Sequence, residues 1–270
     1  MYTVIEKSLY NVKERGDFRY LDEGPVTERP PIVFLHGMLG NLTNWTDAVQ
    51  SVAANGYRAI VPFLPVYTLP VGQTSMQGLV EYVHAFLDAM ELDFVTLAGN
   101  SLGGQLAILY TFSHPQRASA LILTGSSGLY EVEMGTGSPR RYDPNFVRER
   151  AAITFYEKEQ VTEDLVNEML EVVADRACAI RLIKMARASK NETVRTRLHE
   201  IQVPTLLVWG ANDAITPPDV AREFEELIPD TELHFIDKCG HAPMLEHPET
   251  FNQIMLHFLR ERVSTATLAV

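Results

Sequence analysis

Apolar positions along the chain fall into two alternating kinds of run. Short continuous stretches at 31–35, 57–61, 94–98, 118–123, 203–209 and 232–236 read as buried strands. Between them, apolar residues recur at helical spacing. In 76–90 they are Leu79, Val80, Val83, Phe86, Leu87 and Met90. Similar patterns predict helices at 44–54, 105–112, 218–227 and 248–261, with Asn55-Gly56 as a stop for the first. Residues 3–12 and 17–23 read as an antiparallel hairpin around Gly16 at one sheet edge. Strands alternating with helices predict right-handed crossovers and a mostly parallel sheet.

The rhythm breaks after Thr124-Gly125-Ser126-Ser127-Gly128. From 129 to 200 no stretch reads as a strand, and helices are predicted at 145–156, 162–173 and 174–189. Thr162-Glu163-Asp164 supplies a cap for the second. The expected organisation is an α/β core of residues 1–128 and 201–270, interrupted by an all-helical insertion at 129–200.

Gly99-Asn100-Ser101-Leu102-Gly103-Gly104 lies where a buried strand turns into an apolar helix. A Gly-x-Ser-x-Gly in that context forms a tight elbow that lifts the hydroxyl above the sheet, at a helix N-terminus that favours developing negative charge. A serine hydroxyl needs a base, and the base needs an orienting carboxylate. Ligand sites of open parallel sheets lie beyond the carboxyl ends of the strands. Of eight histidines, His241 meets that requirement best, following the strand at 232–236 through Asp237-Lys238-Cys239-Gly240. Asp213 follows the preceding strand and is the expected acid, with Asp237 and Glu131 as alternatives. The expected oxyanion donors are the backbone N–H groups of Leu102 and of Met38, the latter in the loop His36-Gly37-Met38.

These motifs, with Trp209-Gly210-Ala211-Asn212-Asp213 and Gly240-His241, resemble the α/β-hydrolase family across roughly residues 15–262. The resemblance implies an eight-stranded, mostly parallel sheet with helices on both faces, and a helical cap at 129–200 over Ser101. It also implies a serine hydrolase using Ser101, Asp213 and His241. Relatives of this fold that dehalogenate alkanes or open epoxides carry aspartate at the elbow, and position 101 is serine. The elbow resembles those of small esterases and of carbon–carbon bond hydrolases of ring-fission products. The latter commonly have an aromatic residue after the histidine, where this chain has Ala242. Pro62-Phe63-Leu64-Pro65-Val66 replaces an Asp-x-Pro-Gly-x-Gly loop of many relatives, which favours an apolar substrate group. The leading expectation is therefore hydrolysis of small to medium apolar carboxylic esters. Carbon–carbon cleavage of a dienoate by the same triad is the alternative. A ligand receptor that retains the fold is a third reading, disfavoured by three intact triad positions. His36, Gly37, Arg140, Arg141 and Phe146 are candidate pocket residues, the two arginines for a substrate carboxylate or simply as solvated charge. Met134, Phe155 and Tyr156 line the pocket or pack within the insertion.

Composition narrows the partners more than the chemistry. The 270 residues are 46% hydrophobic and 21% charged, an ordinary globular balance. A net charge of −12 argues against nucleic acid or an anionic membrane as partner and leaves a small-molecule substrate. Two cysteines match neither a disulfide framework nor a zinc site, and no cofactor is expected. The first residues lack a basic region followed by an apolar core, so a cytoplasmic location is expected.

Overall fold

The structure is a computed structural model and describes residues 11–132 and 143–263. Eight strands form one sheet: β1 Lys13–Arg15, β2 Phe18–Glu23, β3 Ile32–Leu35, β4 Ala59–Pro62, β5 Val95–Asn100, β6 Ala118–Thr124, β7 Thr205–Gly210 and β8 Thr231–Ile236. Their spatial order is β1-β2-β4-β3-β5-β6-β7-β8. β2 runs antiparallel to both its neighbours, and every other pairing is parallel. The edge hairpin is formed by β1 and β2, with β1 just after the strand expected at 3–12, of which residues 3–10 lie outside the described residues. Gly16 makes the turn with φ +58°.

All residues of β3, β4, β5 and β7 are buried, because helices cover both faces of the sheet. On one face, α1 (Thr46–Ala54) and α9 (Pro248–Arg262) press Val49, Val52, Phe251, Met255 and Phe258 against Ile32, Phe34 and Val208. On the other, α2 (Met76–Ala89), α3 (Leu102–Ser113) and α7 (Pro218–Leu227) pack Leu79, Phe86, Leu106 and Phe224 against Leu97, Leu121 and Trp209. At ~25 cal/mol per Å², each such fully buried large side chain contributes about 1.5–3 kcal/mol.

Between β6 and β7 the described residues hold α4 (Pro144–Ala151), α5 (Glu163–Ala174) and α6 (Arg176–Asn191). Asp175 separates the last two, and its carboxylate accepts the Cys178 N–H at 2.8 Å as the cap of α6. A small apolar cluster of Val147, Ala151, Val161, Val166 and Met169 joins α4 to α5. Cys178 and Met185 of α6 reach the core beside α2 and α3. A further short helix, α8 (Pro243–Glu246), follows His241. The sequence pattern assigns no element there, since four residues are too few to show a helical period. Among the described residues no helix is long and apolar enough to cross a membrane, and no cluster of side chains could hold a metal ion.

Candidate active site

Strand β5 ends at Asn100, and α3 begins at Leu102, leaving Ser101 alone to turn the chain. Its φ of +56° is rare for a residue with a side chain and stores strain of order 1–3 kcal/mol. Four backbone hydrogen bonds hold it there. Ser101 N–H donates to Thr124 O at 3.1 Å, and its carbonyl accepts from Gly104, Gln105 and Ser127 at 3.0–3.2 Å. So tight a turn leaves no room at its flanks. A Cβ on Gly99 would lie 2.3 Å from Gly103 O, and one on Gly103 would lie 2.1 Å from Leu35 O. That close approach also explains why α3 starts earlier than expected. Gly103 and Gly104 belong to its first turn and not to a loop.

The Leu102 N–H is the first amide of α3 and has no acceptor within the helix. Across from it lies the loop after β3, where a Cβ on Gly37 would be 3.4 Å from Ser101 Cβ. Met38 follows, its carbonyl taken by the Tyr67 hydroxyl. His36 fixes this loop. Its Nδ1–H donates to Gly37 O at 2.9 Å, and Nε2 accepts the Leu64 N–H at 3.1 Å. Burial pushes its pKa down to about 4, against a smaller upward pull from the Gly37 carbonyl. The ring is only 1% exposed and both nitrogens are used. His36 thereby ties the loops after β3 and β4 together.

Asp213 and His241 arrive from the loops after β7 and β8, which are laced to each other. Ala211 N–H donates to Ile236 O, and Asn212 N–H to Cys239 O, both at 2.9 Å. His241 Nδ1–H then donates to Asp213 Oδ2 at 2.8 Å. The other carboxylate oxygen accepts the Ile215 and Thr216 N–H groups at 2.8 and 2.9 Å, and the Thr216 hydroxyl donates to Oδ2 at 2.8 Å. Four donors converge on one buried anion, which is what makes its burial tolerable. With Asp213 3% and His241 5% exposed, water competes little for this pair. A proton on Nδ1 leaves a lone pair on Nε2.

The pair is linked to the elbow through Asn100, whose side-chain amide donates to His241 O and Thr124 O, both at 3.0 Å. Among the described residues no hydrogen bond joins the Ser101 hydroxyl to His241. Such contacts are often long before substrate binds. Of the alternative acids, Glu131 and Asp237 are exposed and take no part in the His241 hydrogen bonds. Phe146 is half-buried on α4 beneath the Arg150 guanidinium, 5.1 Å from its ring centre. Phe155 packs on the core and on the α4–α5 cluster, and Tyr156 is 40% exposed. Met134, Arg140 and Arg141 lie outside the described residues. Asn100 and Thr216 escaped the sequence reading. Thr216 had a signal in the Asp-x-x-Thr spacing, which lets a threonine close back on an aspartate.

A sheet of this order, a positive-φ serine opening a helix, and a buried aspartate–histidine pair two and three strands away define a class. Residues 32–254 match the model of the alpha/beta hydrolase family, and the chain belongs to that family. The chain is similar to a 2-hydroxy-6-oxononadienedioate/2-hydroxy-6-oxononatrienedioate hydrolase of Burkholderia vietnamiensis, with 30% identity over 93% of this chain and 94% of that one. Among solved structures it resembles an alpha/beta hydrolase enzyme from the metagenome of sediments of the Mar Chica lagoon, Morocco. Identity there is 34%, coverage 93% and 99%, and the TM-score 0.77. It also resembles a serine hydrolase involved in carbazole degradation, at 26% identity, coverage 93% and 98%, and a TM-score of 0.78. Hydrolase is the level of activity these relatives share.

Proposed function

We propose that the protein is a serine hydrolase that cleaves a carbon–carbon bond in a 2-hydroxy-6-oxo dienoate, the substrate class in the name of its Burkholderia vietnamiensis relative. The observation that carries this reading is the similarity to that dienedioate hydrolase over nearly the full length of both chains, joined to the buried His241–Asp213 pair beside Ser101. The likeness to a carbazole-degradation serine hydrolase supports the same direction.

In this mechanism His241 Nε2 takes the Ser101 proton as the serine oxygen adds to the 6-oxo carbon. The new oxyanion faces the Met38 and Leu102 amides. Cleavage proceeds from the 2-oxo tautomer, in which the 2-hydroxyl proton has moved to C5. The C5–C6 bond breaks, its electron pair passes into the 2-oxo acid fragment as a dienolate, and that fragment takes the proton carried by His241. Ser101 is left acylated. Water, deprotonated by His241, attacks the acyl carbon, releases the second acid and returns the proton to Ser101. Asp213 stabilises the imidazolium in both halves. The dienoate carries carboxylates, for which Arg140 and Arg141 are the proposed cationic partners.

Ester hydrolysis is the second reading, favoured by one feature. The residue after His241 is the small, buried Ala242, where ring-fission hydrolases commonly have an aromatic. A 2-hydroxy-6-oxo dienoate set against a panel of p-nitrophenyl esters separates the two. The proposal expects dienoate turnover to exceed ester turnover in kcat/KM. Ester cleavage with no loss of dienoate absorbance would reverse the assignment.

A further inference from the structure

Five residues beyond His241, at the end of α8, sits a carboxylate that the reaction above does not use. Glu246 is only 8% exposed, with Met244, Leu245 and Phe155 in the core around it. Its two oxygens serve two different parts of the chain. One accepts the Gly240 N–H at 2.8 Å and the Cys239 thiol at 3.8 Å. The other accepts the Tyr156 N–H at 2.7 Å, from the segment that follows α4. Around this carboxylate the same two segments also meet directly. His241 N–H donates to Thr154 O at 2.7 Å. A Cβ on Gly240 would lie 2.5 Å from Thr154 O and 3.0 Å from Tyr156 N. The backbone of His241 is thus held on one side by Asn100 and on the other by residues 154–156.

We propose that Glu246 is a positioning residue. Its carboxylate staples residues 154–156 of the segment between β6 and β7 to the loop 239–241, and thereby sets where the His241 imidazole stands above Ser101. The segment between β6 and β7 then carries part of the mount on which the base rests. This inference rests on reading His241 as the base.

The chemistry explains why a carboxylate is placed here in spite of its burial. Burial pushes the Glu246 pKa up, while the N–H groups of Tyr156, Gly240 and Ala242 pull it back down, with a smaller downward pull from His247. An apolar side chain would avoid that desolvation and leave two buried amides without acceptors. Glutamine fills the same volume, but its amide offers one oxygen and one donating NH2. It can satisfy either Gly240 or Tyr156 and must repel the other. Glu246→Gln therefore breaks the staple without opening a cavity.

The test measures how fast Ser101 is phosphonylated by a fluorophosphonate, over a range of reagent concentrations, in the wild-type chain and in Glu246→Gln. The limiting rate constant should fall on the order of 10–100-fold, the scale set by displacing a catalytic group by about 1 Å. The half-saturating reagent concentration should stay the same. A variant with a lower melting temperature but an unchanged limiting rate would overturn the proposal and leave Glu246 a purely structural residue. If Glu246→Gln fails to fold, Gly240→Ala parts the same two segments from the other side and should give the same loss. An unchanged rate there also overturns it. A second readout needs no reactive serine. The proton NMR resonance of His241 Nδ1–H, bonded to Asp213, should shift and exchange faster with water in Glu246→Gln, and an unmoved resonance contradicts the staple. A wild-type chain that ignores the reagent would sink the serine reading, while that resonance still judges Glu246.

Discussion

Replacing Asp213 by asparagine changes one atom of the acid and, by the structure, the tautomer of the base. Oδ1 accepts two backbone N–H groups, from Ile215 and Thr216, whose direction is set by the turn and cannot reverse. The asparagine oxygen must stay there, so its NH2 points where Oδ2 now meets His241 Nδ1 and the Thr216 hydroxyl. Two donors cannot face each other at 2.8 Å. The imidazole responds by moving its proton from Nδ1 to Nε2, and the nitrogen facing Ser101 loses its lone pair. The same replacement in a serine protease, with geometry intact, lowers turnover about 10⁴-fold. Here that corresponds to about 5.4 kcal/mol of lost transition-state stabilisation. Because the two backbone donors keep their acceptor, the fold should survive, with an unchanged circular dichroism spectrum. The assay is kcat on the best substrate of the dienoate and ester panel, with phosphonylation of Ser101 as a substrate-independent check. Activity within tenfold of the wild type would refute the reasoning and move the acid elsewhere.

Ser101→Ala should lower turnover by about 10⁶, with little change in stability, since only a hydroxyl that makes no hydrogen bond within the described protein is lost. Steady-state kinetics with an active-site titration check it. Gly103→Ala should destabilise by about 3 kcal/mol, because its Cβ would lie 2.1 Å from Leu35 O and 2.8 Å from His36 O, both backbone atoms that cannot turn aside. Thermal unfolding should show the midpoint lowered by more than about 5 °C, and an unchanged midpoint would count against the packing described. His36 gives the fold an acid limit. Its folded pKa of about 4 lies below the ordinary 6.5, so between those values the unfolded chain takes up a proton that the folded chain refuses. Stability from this residue is therefore complete above pH 6.5 and falls by about 3 kcal/mol in all as the pH drops to 4. Urea unfolding at pH 7 and pH 4.5 should show a flatter dependence in His36→Gln, whereas equal slopes in the two proteins would contradict it.

Much of the frame was legible because it rests on local pattern. Uninterrupted apolar runs such as Ile32–Leu35 and Thr205–Gly210 are what a strand buried on both faces requires, and they form the centre of the sheet. The order of Ser101, Asp213 and His241 along the chain, each just past a strand end, was enough to put Asp213 and His241 in adjacent loops. What was not legible depends on who meets whom. His36 looked like a pocket residue by its place beside Gly37. Only the fold shows Leu64 donating to its ring and tying it to the loop after β4. Thr216 and Asn100 orient the site through hydrogen bonds that no periodicity announces. Glu246 follows the apolar Ala242-Pro243-Met244-Leu245, and nothing in that pattern marks it until residues 154–156 are seen to pack against the His241 loop. Even the start of α3 was misplaced by three residues. Glycines at 103 and 104 suggest a loop; the backbone of β3 at Leu35 presses against the helix at Gly103, and Ser126 after β6 does so at Gly104.

Mass mapping of the fluorophosphonate adduct tests the central claim most directly. One equivalent of phosphonate should attach to the peptide that carries Ser101, and Ser101→Ala should take up none. An adduct on a different residue, or equal labelling of Ser101→Ala, would contradict the account.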